Sequence, residues 1–547
     1  MLARCKTAAL RGLEARPVLV EVDLAPGLPG LQMVGLADAA VQESRERVRS
    51  ALRHSNQKVP LTRVVVNLSP ADLRKEGPGF DLPIALGLLL ASGQLAPEPC
   101  REIWSAGELG LDGSLRPIRG VLAIAIAARQ HGARALVVPM ANAWEAALVE
   151  GLAVWGAGDL AQACAWLGDP LKQRGRSRVP GPQHLRTGTA PTPSDPGAVD
   201  LADVCGQAHG RRALEIAAAG GHHLLLCGPP GSGKTMLAQR LAGLLPPLSA
   251  AEALELTAIH SVAGLLDSSR GLLLQRPFRS PHHSCSGPAL IGGGGVPRPG
   301  ELALAHHGVL FLDELPEFQR TVLDQLRQPL EDGEVWIHRA RQRTRFPCRI
   351  TLVAAANPCP CGWFGDPERS CSCSEAQRQR YWARLSGPLL DRIDLQVVMR
   401  RPSSQALTEP FRPRSAASGR AEAALPRAQG ESSAVVSARV QAARRRMAAR
   451  NPEGCSNARI PGGLLHRLVQ LTDEALMLWQ GALEQRQLSA RAGARLLRVA
   501  QTISDLEIGD NAATDGAATD DMDRQVRVGG SAIAEALNYR SLDQFGR

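Results

Sequence analysis

Eight consecutive residues, Gly228-Pro229-Pro230-Gly231-Ser232-Gly233-Lys234-Thr235, combine glycines, one lysine and one hydroxyl at a spacing that suits a polyphosphate. Glycines let successive backbone N–H groups turn inward around phosphate oxygens. The Lys234 ammonium then reaches the terminal phosphate as a compact charge, and the Thr235 hydroxyl ligates Mg²⁺. Lys234 is the only lysine after Lys172 in a chain that otherwise uses arginine almost exclusively. Arginine's wide planar fork would not fit this task. The pattern predicts ATP as ligand and Mg²⁺ as its ion, with Gly228 to Thr235 as the binding residues.

Such a loop needs a strand before it and a helix after it. The apolar run His223 to Cys227 reads as a buried parallel strand and Thr235 to Leu245 as a helix whose N-terminus meets the phosphates. A second apolar run, Gly308 to Leu312, ends in Asp313-Glu314, which puts two carboxylates at the C-terminal tip of a strand. Asp313 is expected to hold Mg²⁺, usually through water, and Glu314 to polarise the attacking water. A third strand, Ile350 to Ala356, delivers Asn357 to the same edge, where an amide orients water or phosphate without adding charge.

Two further clusters carry chemistry. Arg339, Arg341, Arg343 and Arg345 alternate with smaller residues between Val335 and Ile350. They share one face if the segment is extended and gather at a hairpin tip if a turn interrupts it. Either arrangement suits DNA phosphates, and the competing reading is a solvated edge or a subunit salt bridge. Cys359, Cys361, Cys371 and Cys373 form two close thiol pairs across a polar loop, enough for tetrahedral Zn²⁺. The pairs His282-His283 and His306-His307 read as structural or nucleotide-linked rather than as metal ligands.

At 547 residues the chain is too long for one ordinary core. The predicted class is multidomain α/β: residues 1–168 a compact α/β domain, 169–200 a linker rich in proline, glycine and polar residues, and 201–400 a doubly wound parallel sheet around the phosphate loop. Residues 401–430 read as a second linker and 431–547 as a helical C-terminal region with an acidic, disordered insertion near 509–530. The formal charge of +10 favours a polyanionic partner, while only 3% aromatic residues argues for phosphate contact over a broad base-stacking platform. No apolar stretch is long enough to span a bilayer and the start lacks a signal-like run, so a cytoplasmic location with reduced thiols is expected.

Taken in order, the phosphate loop, the acid-ended strand, Asn357 and the segment Ser386 to Asp394 resemble the motifs of AAA+ ATPases. The resemblance makes Asn357 a sensor 1 residue. It makes Arg392 an arginine finger that serves a neighbouring subunit, with Arg384 the nearest competitor. Flanking words narrow the branch: Gly300 to Gly308 and Leu326 to Val335 look like the magnesium-chelatase-like group. "PFRSPHH" (Pro277 to His283), "NPCPCG" (Asn357 to Gly362) and "LSARA" (Leu488 to Ala492) closely resemble the ComM/YifB proteins.

That resemblance covers nearly the whole chain. It implies a Lon-protease-like N-terminal domain and a C-terminal helical lid closing over nucleotide with Arg491 as sensor 2, although Gly493 and Ala494 follow where bulky polar residues are common. Gly79 stands where Lon proteases carry their serine and no lysine lies between Lys75 and Lys172, so peptidase activity is not expected. The resemblance further implies a hexameric homo-oligomer that drives DNA branch migration in recombination and natural transformation, with Lys234, Asp313, Glu314, Asn357, Arg392 and Arg491 as its catalytic set. Two alternatives remain at this level: a chelatase- or chaperone-like ATPase acting on a protein or a metal, and a DNA-binding module that uses ATP only as a switch.

Overall fold

The computed structural model describes residues 1–97, 102–168, 199–266, 271–295, 297–339, 342–402, 408, 430–512 and 526–540. Nearly all of the two expected linkers, and Arg341, lie outside the described residues.

The N-terminal part is built on a seven-stranded mixed sheet. Its order is Gly30–Val34, Arg63–Ser69, Glu14–Ala25, Leu2–Arg11, Ile103–Ser105, Ala135–Pro139, Ala153–Ala157. Val18, Val20 and Val22 alternate inward along one strand, as the period of two requires for a sheet with one buried face. Against it lies the helix Asp81–Ala91, apolar on every side and buried along its whole length. Gly87 permits the close approach, because a Cβ there would lie 2.6 Å from Cγ2 of Val22. The one charge on this helix, Asp81, accepts from Arg47 Nε at 2.7 Å, from Leu109 N at 3.1 Å and from the Ser44 hydroxyl. A buried carboxyl group without such partners would cost stability.

Gly79 sits in the turn Pro78–Phe80, with Ile118 Cδ1 3.3 Å from where a Cβ would be. Lys75 is buried and its ammonium donates to the Pro70 carbonyl.

The second sheet has five strands, all parallel, in the order Phe278–Arg279, Val309–Leu312, Thr351–Ala356, Leu224–Cys227, Leu395–Val398. The three central strands are buried at every position, which is why they read as continuous apolar runs. An antiparallel hairpin, Glu334–Arg339 with Gln342–Pro347, leaves this layer between the second and third of these strands in chain order.

C-terminal helices Ser433–Arg450, Asp473–Gln485, Ala490–Ala512 and Gly530–Asn538 do not form a separate body. Val436, Met447, Leu496, Ile503 and Tyr539 share one core with Leu214, Leu237 and Phe311 of the nucleotide-binding layer. The helix Ala490–Ala512 and the short strand Arg527–Val528 enter the span 509–530 expected to be disordered; residues 513–525 lie outside the described residues.

A polar network pins these helices. Arg450 donates to both Asp505 oxygens at 2.7 Å, and Asn457 Nδ2 donates to Asp505 Oδ2 at 2.8 Å. Asn457 also donates to the Thr502 hydroxyl at 3.1 Å, which in turn lies 2.9 Å from His222 Nε2.

The N-terminal sheet domain docks on the nucleotide-binding layer at two places. Gly120 N donates to Ser261 O at 3.2 Å, and the Ser261 hydroxyl donates to Glu145, whose carboxyl burial pushes up. At the other contact, Gly12, in the turn between the first two strands, lies against Thr344 of the hairpin so closely that a Cβ would approach Cγ2 to 2.5 Å.

Removing one partner of a buried, paired charge leaves the other uncompensated. Asp505→Ala is therefore expected to lower unfolding free energy by about 3–5 kcal/mol. Chemical denaturation followed by circular dichroism checks this; a loss under about 1 kcal/mol, as for exposed pairs, contradicts it.

Candidate active site

Parallel register decides what meets at the sheet's C-terminal edge. Cys227 pairs with Ala356, and Leu312 with Ala354, so the residues that follow (Gly228, Asn357 and Asp313) emerge at one edge. Gly228 N donates to Ala356 O at 3.1 Å, fixing the first residue of the loop.

Lys234 opens the helix Lys234–Leu244 and turns its ammonium back over the loop. Its Nζ donates to Gly228 O at 2.6 Å, to Pro229 O at 3.0 Å and to Asn357 Oδ1 at 3.2 Å. Burial pushes the Lys234 pKa down, opposed by Cys227, Asp313 and Glu314. The Thr235 hydroxyl donates to Asp313 Oδ2 at 3.0 Å. Gly231 and Gly233 adopt φ of +78° and +86°, with open space where side chains would project. These observations fit a nucleotide bound with its ion: open space beside two left-handed glycines, an ammonium held by nearby carbonyls, and two hard oxygen ligands for Mg²⁺.

Glu314 takes φ of +52°, a left-handed conformation that is uncommon for a residue with a side chain. Its N–H donates to Asp313 Oδ1 at 2.9 Å, and its carboxylate lies 3.3 Å from His283 Nδ1. The His283 ring lies against that of His282, tilted by 35° with centroids 4.0 Å apart. Sequence reasoning assigned His283 no contact with Glu314, because nothing in periodicity links two residues thirty-one positions apart. The one signal was its place in the Pro277 to His283 word, which contains the strand Phe278–Arg279 that pairs with the strand leading to Glu314.

The other histidine pair gathers with Glu255, their ligand atoms lying within 4.8 Å of one another. His306 Nδ1 accepts from Arg349 N at 2.9 Å, His307 Nε2 lies 3.0 Å from Glu255, and burial pushes His306 down to about 4.

Arg392 and Arg491 are not brought to this edge. Asp394 and Leu395, at the start of their strand, both donate backbone N–H groups to His223 O, at the beginning of the phosphate-loop strand. Arg392 therefore stands at the opposite edge, about 13 Å away by the rise of four strand residues. Its guanidinium pairs with Glu331 and donates to Pro388 O at 2.7 Å. Arg384 is held by Glu317 at 2.7 Å.

The helix carrying Arg491 packs on that far edge too, since Arg495 lies 3.7 Å from Asp394 and Thr502 contacts His222. Arg491 is exposed on its first turn. The shared core and the Asp394–Arg495 contact seat this helix against the edge of the sheet at which the strand Leu395–Val398 begins.

Arg343 and Arg345 of the basic segment lie on the second strand of the antiparallel hairpin. Arg343 is exposed and stacks over the Trp336 ring at 4.0 Å, while Arg345 Nε pairs with Glu334 at 2.8 Å. Arg339 ends the first strand and pairs in register with Gln342. Sulfurs of Cys359, Cys361, Cys371 and Cys373 all lie within 4.8 Å of one another. Among the described residues, no helix is long and apolar enough to cross a membrane.

Losing Lys234 removes charge-assisted bonds worth about 1.5–3 kcal/mol each. Lys234→Ala is expected to weaken binding of a fluorescent ATP analogue at least about tenfold with the fold intact by circular dichroism. His283→Ala frees the Glu314 carboxylate to accept a proton from water and is expected to raise unstimulated ATP hydrolysis at unchanged nucleotide affinity. An unchanged or lower turnover refutes that role.

Known proteins resemble this chain along its length. Residues 200–407 match "Magnesium chelatase, subunit ChlI", residues 20–142 match "Subunit ChlI of Mg-chelatase", and residues 430–540 match "Magnesium chelatase, subunit ChlI C-terminal". An uncharacterized protein of Mycobacterium tuberculosis is 46% identical over 92% of this chain and 95% of its own length. The uncharacterized protein YifB of Escherichia coli is 43% identical over 98% of this chain and 97% of its own, and competence protein ComM of Haemophilus influenzae 41% over 99% and 98%. With relatives this similar over almost the full length, the chain belongs to the ComM/YifB-type family of magnesium-chelatase-like proteins.

Proposed function

We propose that this chain is a Mg²⁺-dependent ATPase that works as a hexameric ring, and that its hydrolysis cycle drives branch migration of DNA. The observation that carries the reading is the division of the catalytic set between the two edges of one sheet. Lys234, Thr235, Asp313 and Asn357 meet at the C-terminal edge, while Arg392 stands at the other. A guanidinium placed there serves a phosphate loop only if that loop belongs to a second copy.

Each residue then has a task set by its position. Backbone N–H groups of Gly231 to Lys234 and the Lys234 ammonium hold the β- and γ-phosphates of ATP. Thr235 and Asp313 hold Mg²⁺, which neutralises phosphate charge when bound. Glu314 accepts the proton of the attacking water, and Asn357, already hydrogen-bonded to Lys234, orients that water or the γ-phosphate. Arg392 and Arg491 of adjacent copies balance the charge that develops on the phosphoryl oxygens.

DNA enters the proposal through the hairpin. Its exposed Arg343 and Arg345 present positive charge on a two-stranded support that suits backbone phosphates. The name of the Haemophilus relative, a competence protein, favours a DNA partner as well. A chelatase-like role on a protein or metal is the second reading, favoured by the matched family descriptions.

The test is steady-state ATPase activity of the wild type and Glu314→Gln, with and without a branched DNA whose migration is followed in the same reaction. Stimulation by DNA and ATP-dependent migration, both lost in the variant, are expected; hydrolysis indifferent to DNA moves the function to the second reading. Arg343→Ala is expected to weaken DNA binding and to reduce the slope of log affinity against log salt by about one. An unchanged slope removes the hairpin from the DNA path.

A further inference from the structure

The loop from Asn357 to Ser374 has no helix or strand, although it leaves the strand that delivers Asn357 and runs beside the phosphate loop. Eighteen residues of irregular chain at a catalytic edge need some other source of order. Part of it is local: Trp382 Nε1 donates to Pro358 O at 3.0 Å and Arg378 to Cys373 O at 2.9 Å. Arg378 lies 4.3 Å over the Phe364 ring and Arg369 lies 4.5 Å over Trp363. The centre of the loop is the set of four thiols.

Their geometry is that of a metal site. Cys359 Sγ lies 3.3 Å from Cys361 Sγ and 3.6 Å from Cys371 Sγ, which is 3.6 Å from Cys361 Sγ. Four thiolates around zinc at about 2.3 Å sit about 3.8 Å apart at the corners of a tetrahedron. The separations are close to that value and far above a disulfide's, about 2.05 Å. The Cys373 N–H, 3.4 Å from Cys371 Sγ, supplies the kind of outer hydrogen bond that stabilises a ligated thiolate. Soft thiolates without a carboxylate among them select Zn²⁺ over Mg²⁺ or Ca²⁺.

The site also touches the catalytic edge. Cys359 is two residues beyond Asn357, and Gly362, inside the cluster, takes φ of +85° against Pro230 of the phosphate loop. A Cβ on Gly362 would lie 2.8 Å from Pro230 Cδ, so the two loops are in contact through the one residue type that permits it. A metal that fixes Cys359 and Cys361 therefore fixes the backbone on both sides of Gly362 and the exit of the Asn357 strand.

We propose that Cys359, Cys361, Cys371 and Cys373 bind one Zn²⁺ and that this ion is a positioning element of the ATPase site, holding Asn357 and the Pro230 turn of the phosphate loop in register. It has no free coordination position and no part in the chemical step. The positioning half rests on the ATPase reading given above; the metal half does not.

The experiment takes the full chain purified under reducing conditions without chelator. Elemental analysis is expected to give about one zinc per chain, and Cys361→Ser/Cys371→Ser to give none. Cobalt exchanged into the wild type is expected to show the intense visible absorption of tetrahedral thiolate coordination. No zinc in the wild type, with all four thiols reacting freely with a thiol reagent, overturns the site, as does a double variant that retains a full equivalent.

For the positioning role, zinc is stripped by a chelator and then restored. Stripped protein is expected to keep its circular dichroism spectrum and lose about tenfold or more in kcat, recovered on adding Zn²⁺. Stripped protein with unchanged kcat and nucleotide affinity overturns the positioning role while leaving the metal count standing. A wild type that binds zinc and never hydrolyses ATP overturns the ATPase reading, and the positioning role with it.

Discussion

Everything at the nucleotide site hangs on the hydrogen-bond register of three short parallel strands. Because Cys227 is opposite Ala356 and Leu312 opposite Ala354, the chain leaves the sheet at Gly228, Asp313 and Asn357 within one crevice. A slip of one residue would turn each strand's side chains to the other face and carry those three residues out of reach of Lys234. The strands tolerate no such slip, since all are buried on both faces among Leu, Val and Ala side chains. The apolar core thus sets the catalytic distances.

The same parallel arrangement has a second consequence, because a strand that ends at one edge must begin at the other. Arg392, just before its strand, is placed at the edge opposite the loop by the bonds from Asp394 and Leu395 to His223. The C-terminal helices reinforce that edge through His222, Asp394, Arg495 and Thr502, and share its core. Two residues of the predicted set are therefore physically separated from the others.

The N-terminal domain contributes to this layer through its contacts. One contact, Glu145 with Ser261, is a buried hydrogen bond to the helix that carries Glu252 and Glu255, which hold the His306–His307 pair. The other sets Gly12 against Thr344 on the back of the hairpin, while Arg343 and Trp336 occupy its other face.

From the sequence alone, the phosphate loop, the acid-ended strand, Asn357 and the paired thiols were legible, because each is a local pattern whose chemistry depends on residues close together in the chain. Apolar runs bounded by glycine or acid marked the central strands for the same reason. What the tertiary structure decided was everything that depends on long separations. It set His283 on Glu314, Arg495 on Asp394 and the four sulfurs around one point beside Pro230. It placed the helix of Arg491 at the far edge, and it turned the arginine segment into a hairpin braced by Gly12. Spacing along a chain encodes which face of an element a residue occupies; only packing determines which other element that face meets.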